Sequence, residues 1–188
     1  MSQGTLFYVI GASGAGKDSL LRYARRKIAG DSRVIFAHRY ITRSAQLGGE
    51  NHIEISEKEF HNRKNLGCFA LSWNSHGLYY GIGIEINQWL SCGSHVVING
   101  SRGYLNEASQ RYPDNIVPIL IKISPERLAL RLSARGRETP EEIQQRLERA
   151  KAFNHIKHRR LKTLDNNDAL EKAGDALITL ITQTAIPS

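Results

Sequence analysis

The sequence predicts an α/β fold in which a mainly parallel sheet is flanked by helices, and three observations lead to this prediction. Apolar runs of strand length alternate with amphipathic runs of helical spacing, which is typical of parallel strands joined by crossover helices. A glycine-rich turn connects the first apolar run to the first helical run. The 188 residues, of which 40% are hydrophobic, suffice for one core but not for two ordinary domains, so residues 1–188 are predicted to form a single domain.

The glycine-rich turn covers residues 11–19 and directly follows the apolar run of residues 6–10. Its spacing matches the phosphate-binding pattern G-x-x-x-x-G-K-[ST], in which backbone N–H groups surround a phosphate and the lysine reaches the β- and γ-phosphates. The N-terminus of the following helix adds partial positive charge. One position departs from the pattern, because Asp18 stands where a serine or threonine should hold Mg²⁺. The residues predicted to bind ATP are Gly11, Ala12, Ser13, Gly14, Ala15, Gly16, Lys17, Asp18 and Ser19, with Lys17 also catalytic and Asp18 also a ligand of Mg²⁺.

The other elements are predicted from spacing, capping residues and turn signals. The first half of the chain is predicted to contain a helix over residues 17–28, a short strand over 34–37, a long polar loop over 38–52, a helix over 56–65 opened by a capping box, and a hairpin over 68–81. The second half is predicted to contain a helix over 84–90, a strand over 95–100, a helix over 105–112, a buried strand over 116–123, helices beginning near Ser124 and Thr139, a short edge strand near 163, and a final helix capped by Asp168.

Two consecutive helices in the second half carry arginines and are separated by Gly136. Arginines on a helix usually form a solvated face. The hinge-like glycine between these two helices instead favours a lid that closes over phosphates, which we predict for residues 131–146. The predicted catalytic residues of the lid are Arg131, Arg135, Arg137 and Arg146.

The net charge of the chain is +8, and residues 122–162 hold twelve Lys or Arg against five Glu. Such a block suits either nucleic acid or small polyanions. Because Phe153 is the only aromatic residue in the block and a phosphate loop is present, we predict small polyanions and no nucleic acid. No apolar run approaches membrane-span length, no secretory signal is visible, and Cys68 and Cys92 form no Cys-x-x-Cys pair. These features predict a cytoplasmic protein with reduced thiols and no membrane contact.

Polar side chains in two other stretches are candidates for binding the second substrate. Arg39 and Arg43 lie in the polar loop, and guanidinium groups suit bidentate contacts with phosphate. Asn99, Ser101 and Arg102 follow a predicted buried strand. Ligands of open α/β sheets bind at the carboxyl ends of strands, so these side chains are predicted to face the site.

Several motifs occur in the order used by guanylate-kinase-like nucleoside monophosphate kinases. They are residues 11–20, Ile41-Thr42-Arg43 with Gly49-Glu50, Tyr79-Tyr80-Gly81, and the arginines of residues 131–137. This resemblance covers nearly the whole chain and implies a phosphate-loop NTPase fold with an acceptor-binding region at about residues 38–81 and a lid at about 131–146. The chain departs from guanylate kinase at four positions: a second arginine is replaced by Gln46, an acidic guanine-reading residue by Leu71, a small hydroxyl residue by Ile82, and an acidic strand end by Asn99. A guanine site without donors or acceptors would leave the base unpaired.

A closer resemblance is to the ribose 1,5-bisphosphate phosphokinases of bacterial phosphonate degradation. It rests on Gly-Lys-Asp-Ser-Leu-Leu, Ala37–Arg43, Glu50–Ile53, Ala70–Trp73, Gly77–Gly81 and Asn99–Arg102. It implies that the enzyme uses ATP and Mg²⁺ to phosphorylate the 1-phosphate of ribose 1,5-bisphosphate, giving 5-phosphoribosyl 1-diphosphate and ADP. The residues expected to bind the acceptor are Arg39, Arg43, Glu50, Tyr79, Tyr80, Asn99, Ser101 and Arg102.

Two other functions stay open at this stage. One is a guanylate-like nucleoside monophosphate kinase, which an assay with GMP would separate from the first function. The other is a non-catalytic, nucleotide-dependent binding module, although Lys17 and the lid arginines argue against it. The sequence also leaves open whether the chain is a monomer or a homodimer.

Overall fold

The computed structural model describes residues 3–30, 33–45, 52–136, 139–152 and 156–184. Its first-half elements are β1 (Leu6–Gly11), α1 (Lys17–Lys27), β2 (Val34–Phe36), β3 (Arg39–Ile41), β4 (Ile53–Glu54), α2 (Glu57–Asn65), β5 (Phe69–Ser75) and β6 (Leu78–Gly83). The second-half elements are α3 (Glu85–Ser91), β7 (His95–Asn99), a 3₁₀ turn (Arg102–Tyr104), α4 (Leu105–Arg111), β8 (Ile116–Lys122), α5 (Pro125–Arg135), α6 (Pro140–Ala152), β9 (Lys162–Asp165) and α7 (Leu170–Thr184). No helix of these ranges is long and apolar enough to cross a bilayer.

The central sheet is parallel throughout the described ranges, in the strand order β2-β7-β1-β8-β9. Its middle strand, β1, is apolar along its length, and Leu6 to Ile10 are fully buried. Continuous apolar strands are expected where helices cover both faces of a sheet. This confirms the predicted α/β fold and the predicted edge strand near residue 163.

Two hydrophobic clusters cover the two faces of the central sheet. On one face, Phe7 and Val9 pack with side chains of α1, α5 and α7, such as Leu20 and Leu177. On the other face, Tyr8 packs with side chains of α3, α4 and the small sheet described next. The carboxyl ends of β1, β2 and β7 therefore meet at one edge, between these layers.

A second sheet, in the order β4-β3-β6-β5, lies over residues that include the predicted acceptor region. The predicted hairpin is present as the antiparallel pair β5–β6. The prediction of one long loop over residues 38–52 is wrong in part, because Arg39–Ile41 form β3 and Ile41 pairs with Tyr80 of β6. That pairing is distant in sequence and buries Ile41 completely, so local polarity did not reveal the strand.

Candidate active site

The phosphate loop has the backbone that its glycines require. Gly14 and Gly16 have φ values of 89° and 88°, in the left-handed region that favours glycine. A Cβ atom at Gly16 would also lie 2.6 Å from Asn166 Nδ2, which is too close for any side chain. Lys17 Nζ donates to the carbonyls of Gly11 at 3.0 Å and Ala12 at 3.2 Å. The lysine is thus held over the loop, where a bound phosphate would draw it.

Two side chains from beyond residue 130 support the loop from behind. Asn166, only 2% exposed, donates from Nδ2 to the carbonyl of Ala15 at 2.7 Å. Arg131 donates to the same carbonyl at 3.3 Å and to the Asn166 carbonyl at 2.8 Å. Arg131, predicted to be catalytic, therefore contacts the backbone that shapes the loop. Asn166 was not predicted, although its position directly after β9 at the carboxyl edge of the sheet is a usable signal.

The predicted lid touches the loop through Arg146. Its Nη1 donates to Ser13 Oγ at 2.9 Å, which joins α6 to the tip of the loop. Gly136 ends α5 with a φ of 61°, and the Thr139–Glu142 capping box opens α6 as predicted, with bonds of 2.8 and 3.3 Å. Arg137 lies outside the described residues, and so does the side chain of Arg135.

An open pocket of about 490 Å³ adjoins this support structure. Its walls come from α5 and from the turn before α7, and its lining residues include Arg127, Leu130, Arg131, Asn167 and Asp168. Because Arg131 also contacts the loop, the pocket continues the phosphate site on the side of α5.

Asp18, in the first turn of α1, contacts Asn99, the last residue of β7. Asn99 Nδ2 donates to Asp18 Oδ1 at 2.8 Å, and Asn99 is only 5% exposed. The Oδ1 atom of Asn99 is buried and has no hydrogen-bond partner among the described residues. A carboxylate and an amide oxygen are hard ligands of the kind that Mg²⁺ takes while keeping several waters. Of these two groups the Asp18 carboxylate suits a magnesium ion, because Asn99 directs its Nδ2 and not its Oδ1 toward Asp18. No group of three His, Cys, Asp or Glu with metal-site spacing occurs among the described residues.

Tyr8 fixes the turn that follows Asn99. Its hydroxyl donates to the Ser101 carbonyl and accepts from the Ser101 N–H, both at 3.0 Å. Gly100 must lack a side chain, because a Cβ there would lie 2.4 Å from the Tyr8 ring. Arg102 opens the 3₁₀ turn, and burial lowers the pKa of its guanidinium. The predicted trio of Asn99, Ser101 and Arg102 is thus presented at the carboxyl end of β7.

The small sheet adds an aromatic and cationic surface. The Arg39 guanidinium lies 5.0 Å above the ring of Tyr80, and Tyr80 stacks on Trp73 with ring centroids 5.5 Å apart. Trp73 in turn stacks on Tyr104, which connects this surface to the turn after β7. Tyr79 belongs to the opposite face of β6, where it packs on Phe60 at 5.2 Å. The structure therefore brings Tyr80 together with Arg39 but not Tyr79, because neighbouring strand residues point to opposite faces.

Arg43 follows Ile41, the last residue of β3, by two positions. Its Nε is buried and has no hydrogen-bond partner among the described residues. Its carbonyl accepts a 2.9 Å hydrogen bond from Nε2 of His52, a residue not among the predicted site residues. His52 is only 7% exposed and fixes the backbone that carries Arg43. Glu50, another predicted acceptor residue, lies outside the described residues.

The fold is shared with solved kinases of low sequence identity. A guanylate kinase from Anaplasma phagocytophilum superposes with a TM-score of 0.70 at 15% identity, covering 100% of this chain and 89% of that one. A gluconokinase from Sinorhizobium meliloti 1021 gives 0.53 at 16% identity, covering 97% and 94%. No protein-family model matches the chain. Fold and loop together define a phosphate-loop protein of the guanylate-kinase type.

Sequence relatives define the family more narrowly. The chain is 56% identical over 181 residues to a protein of Thiobacillus denitrificans, covering 96% of this chain and 94% of the relative. It is 52% identical over 185 residues to a protein of Psychromonas ingrahamii, covering 98% and 93%. Both relatives are named ribose 1,5-bisphosphate phosphokinase PhnN. The chain belongs to the PhnN family of kinases.

Proposed function

We propose that this protein transfers the γ-phosphoryl group of ATP to the 1-phosphate of ribose 1,5-bisphosphate, giving 5-phosphoribosyl 1-diphosphate and ADP. The observation that carries the proposal is the acceptor surface. The positions at which the guanylate-kinase pattern needs polar base-reading side chains hold Leu71 and Ile82, which face each other across the β5–β6 hairpin and are 1% and 0% exposed. Phosphate-binding arginines are kept beside them. Such a surface suits a phosphorylated sugar better than a purine nucleotide.

The acceptor phosphate needs no general base. A phosphate monoester has a second pKa near ~6, so its oxygen is already largely anionic at neutral pH. That oxygen forms a bond to the γ-phosphorus while the bond from the γ-phosphorus to the β–γ bridging oxygen breaks, and ADP leaves. The task of the protein is to hold two polyanions together and to neutralise charge in the transition state.

The cationic groups of the site are suited to that task. Lys17 and the loop N–H groups bind the phosphate chain of ATP, and the lid arginines Arg135, Arg137 and Arg146 act on the transferring group. Arg131 positions the loop, as its contacts with Ala15 and Asn166 indicate. The pocket between α5 and the turn before α7 takes the nucleoside part of ATP.

Asp18 is the residue that would hold Mg²⁺, with its carboxylate oriented by the amide of Asn99. When bound, the ion neutralises charge on the phosphates. The hydrogen bond from Asn99 Nδ2 to the Asp18 carboxylate supports this assignment.

The acceptor is held by the second group of side chains. Arg39, Arg43 and Arg102 bind acceptor phosphate, and the aromatic ring of Tyr80 supports Arg39. Glu50, Asn99 and Ser101 bind the ribose hydroxyls. Tyr79 is left out of this group, because its ring packs on Phe60 at the opposite face of β6. Its backbone N–H donates to Thr42 Oγ1 at 3.0 Å.

We propose a cytoplasmic location, because the enzyme needs a supply of ATP. We also propose that its substrates are small molecules and that it has no nucleic-acid partner. The homodimer stays open, and size-exclusion chromatography with light scattering distinguishes it from the monomer.

The test is an ADP-release assay with ATP, Mg²⁺ and either ribose 1,5-bisphosphate or GMP, with ³¹P NMR of the product. We expect a diphosphate product from the sugar and a kcat/KM for GMP lower by a factor on the order of 10² or more. Equal values for both acceptors would favour a guanylate-like kinase, the alternative that the guanylate-kinase fold supports. ADP release with neither acceptor would contradict both kinase functions.

A further inference from the structure

A second pocket lies between α1 and the carboxyl ends of β2 and β7. Its volume is about 360 Å³, and Asp18 and Asn99 line one part of it. Leu21 and Phe36 contribute apolar surface. We call this pocket the α1 pocket. It shares Asp18 and Asn99 with the candidate active site. None of the functions assigned above uses its other side chains.

Arginines of α1 give this pocket its charge. Arg22, Arg25 and Arg26 line it, and they stand against one carboxylate, that of Asp18, among its described lining residues. Arg25 Nη1 lies 3.5 Å from Nε2 of His38, at the point where β2 ends. Arg22, Arg25 and Arg26 are exposed, so a phosphate can reach their guanidinium groups from solvent and accept charge-assisted hydrogen bonds from them.

We propose that the α1 pocket binds the 5-phosphate of the acceptor, while Arg39, Arg43 and Arg102 hold the 1-phosphate that receives the phosphoryl group. This inference rests on the proposed function. The 5-phosphate contacts Arg22, Arg25 and His38, away from the Asp18 carboxylate, which would repel it.

The position of the pocket relative to the acceptor surface supports this assignment. His38 lines the α1 pocket, and the next residue, Arg39, lies over Tyr80 on the acceptor surface. Asn99 lines the pocket and also begins the turn that presents Ser101 and Arg102. Two groups of arginines thus flank the Asp18–Asn99 pair from different elements.

The chemistry of a bisphosphate suits two separated cationic groups. Its two phosphates repel each other and are best bound at distinct positions. A nucleoside monophosphate has only the phosphate that reacts, so it would leave the α1 pocket empty. The pocket therefore selects acceptors by their second phosphate.

The kinetic test compares ribose 1,5-bisphosphate with ribose 1-phosphate in wild type, Arg22→Ala, Arg25→Ala and the control Arg111→Ala. Arg111 is an exposed arginine at the end of α4 that does not line the pocket. We expect wild type to prefer the bisphosphate in kcat/KM, and Arg22→Ala and Arg25→Ala each to reduce that preference about 10- to 100-fold, the range for a charged hydrogen bond. Arg111→Ala should keep the wild-type preference, and Arg25→Lys should keep part of it.

Calorimetric titration with ribose 5-phosphate provides a readout that needs no turnover. We expect binding to wild type and at least tenfold weaker binding to the Arg22→Ala/Arg25→Ala variant. That result would uphold the pocket even if the wild type released no ADP with ribose 1,5-bisphosphate, which would contradict only the proposed function.

Three results would overturn the inference. They are an unchanged preference in both single variants, an equal loss on both acceptors, and unchanged binding of ribose 5-phosphate in the double variant. Acceleration of ribose 1-phosphate turnover by added inorganic phosphate in wild type, absent from Arg25→Ala, would support it, because free phosphate would then take the place of the missing 5-phosphate.

Discussion

Asn99 at the end of β7 donates a 2.8 Å hydrogen bond to the carboxylate of Asp18 in the first turn of α1. The carboxylate thus lies on the phosphate loop and the amide on the strand. An amide at position 99 suits this arrangement because a second carboxylate there would repel the first. The amide donor thereby fixes the orientation of the Asp18 carboxylate.

We expect Asp18→Asn to raise the Mg²⁺ concentration for half-maximal rate about tenfold or more, because a charged oxygen ligand is lost. Asp18→Asn combined with Asn99→Asp exchanges the two groups and should partly restore the Mg²⁺ dependence. Rate is measured against Mg²⁺ at saturating substrates. If Asp18→Asn lowers only the melting temperature, the carboxylate merely stabilises the start of α1, an effect of about 0.3–1 kcal/mol.

Arg146→Ala should lower kcat on the order of 10³-fold while changing the Kd for ATP little, because a lid arginine acts mainly on the transition state. Arg135→Ala and Arg137→Ala are expected to behave alike. Single-turnover kinetics and ATP calorimetry separate the two quantities. Gln144→Ala, an exposed change on the same helix, is the matched control. A wild-type kcat in Arg146→Ala would mean that this arginine belongs to a solvated face.

Asn166→Ala should destabilise the fold by about 1–3 kcal/mol and weaken ATP binding, because the Ala15 carbonyl loses its 2.7 Å donor. Urea unfolding and ATP calorimetry measure the two effects. Asn166→Asp keeps the size but turns an oxygen toward that carbonyl, so it should be at least as damaging. Wild-type ATP affinity in both variants would show that the loop holds its shape without Asn166.

Tyr8→Phe should raise the KM for the acceptor and leave the KM for ATP unchanged, because the Ser101 N–H and carbonyl lose their shared partner. Burial raises the pKa of Tyr8 well above its usual value, so the hydroxyl keeps its proton at neutral pH. The stability cost should be about 1–3 kcal/mol.

Tyr112→Phe is the control for this change. Burial raises the pKa of Tyr112 to about 12, and its hydroxyl donates to Asn87 Oδ1 at 2.6 Å, away from the Ser101 turn. It should lose stability without a change in acceptor KM. An equal rise of acceptor KM in both variants would mean that the effect follows from stability and not from the turn.

Some site residues were predictable because their signal is local. Gly14, Gly16 and Lys17 form a motif of fixed spacing, and the structure has the left-handed glycines that the motif requires. The capping residues Ser56 and Ser124 also predicted where their helices begin. Each Oγ accepts a hydrogen bond from the backbone N–H three residues later. The position of Asn99 and Arg102 at the carboxyl end of β7 was also predictable, while their roles in binding stay predictions.

Other residues escaped because their signal is not local. Asn166 donates a hydrogen bond to the carbonyl of Ala15, which is 151 positions earlier in the chain. His52 donates to the carbonyl of Arg43, a contact that its local sequence does not indicate. The sequence does not distinguish Tyr79 from Tyr80, but they lie on opposite faces of β6. Tyr79 packs on Phe60, and Tyr80 stacks on Trp73. The α1 pocket exists only because α1 packs beside the end of β2.

The sequence by itself determined the alternation of helices and strands, the phosphate loop and the class of chemistry, since these depend on short-range spacing and on side-chain type. Only the tertiary structure decided that Arg131 faces the loop backbone, that Asn99 pairs with Asp18, and that arginines of α1 share a pocket with His38. These contacts join elements far apart in the chain. Their geometry is set by how the helices and the small sheet pack on the central strands, which no local pattern encodes.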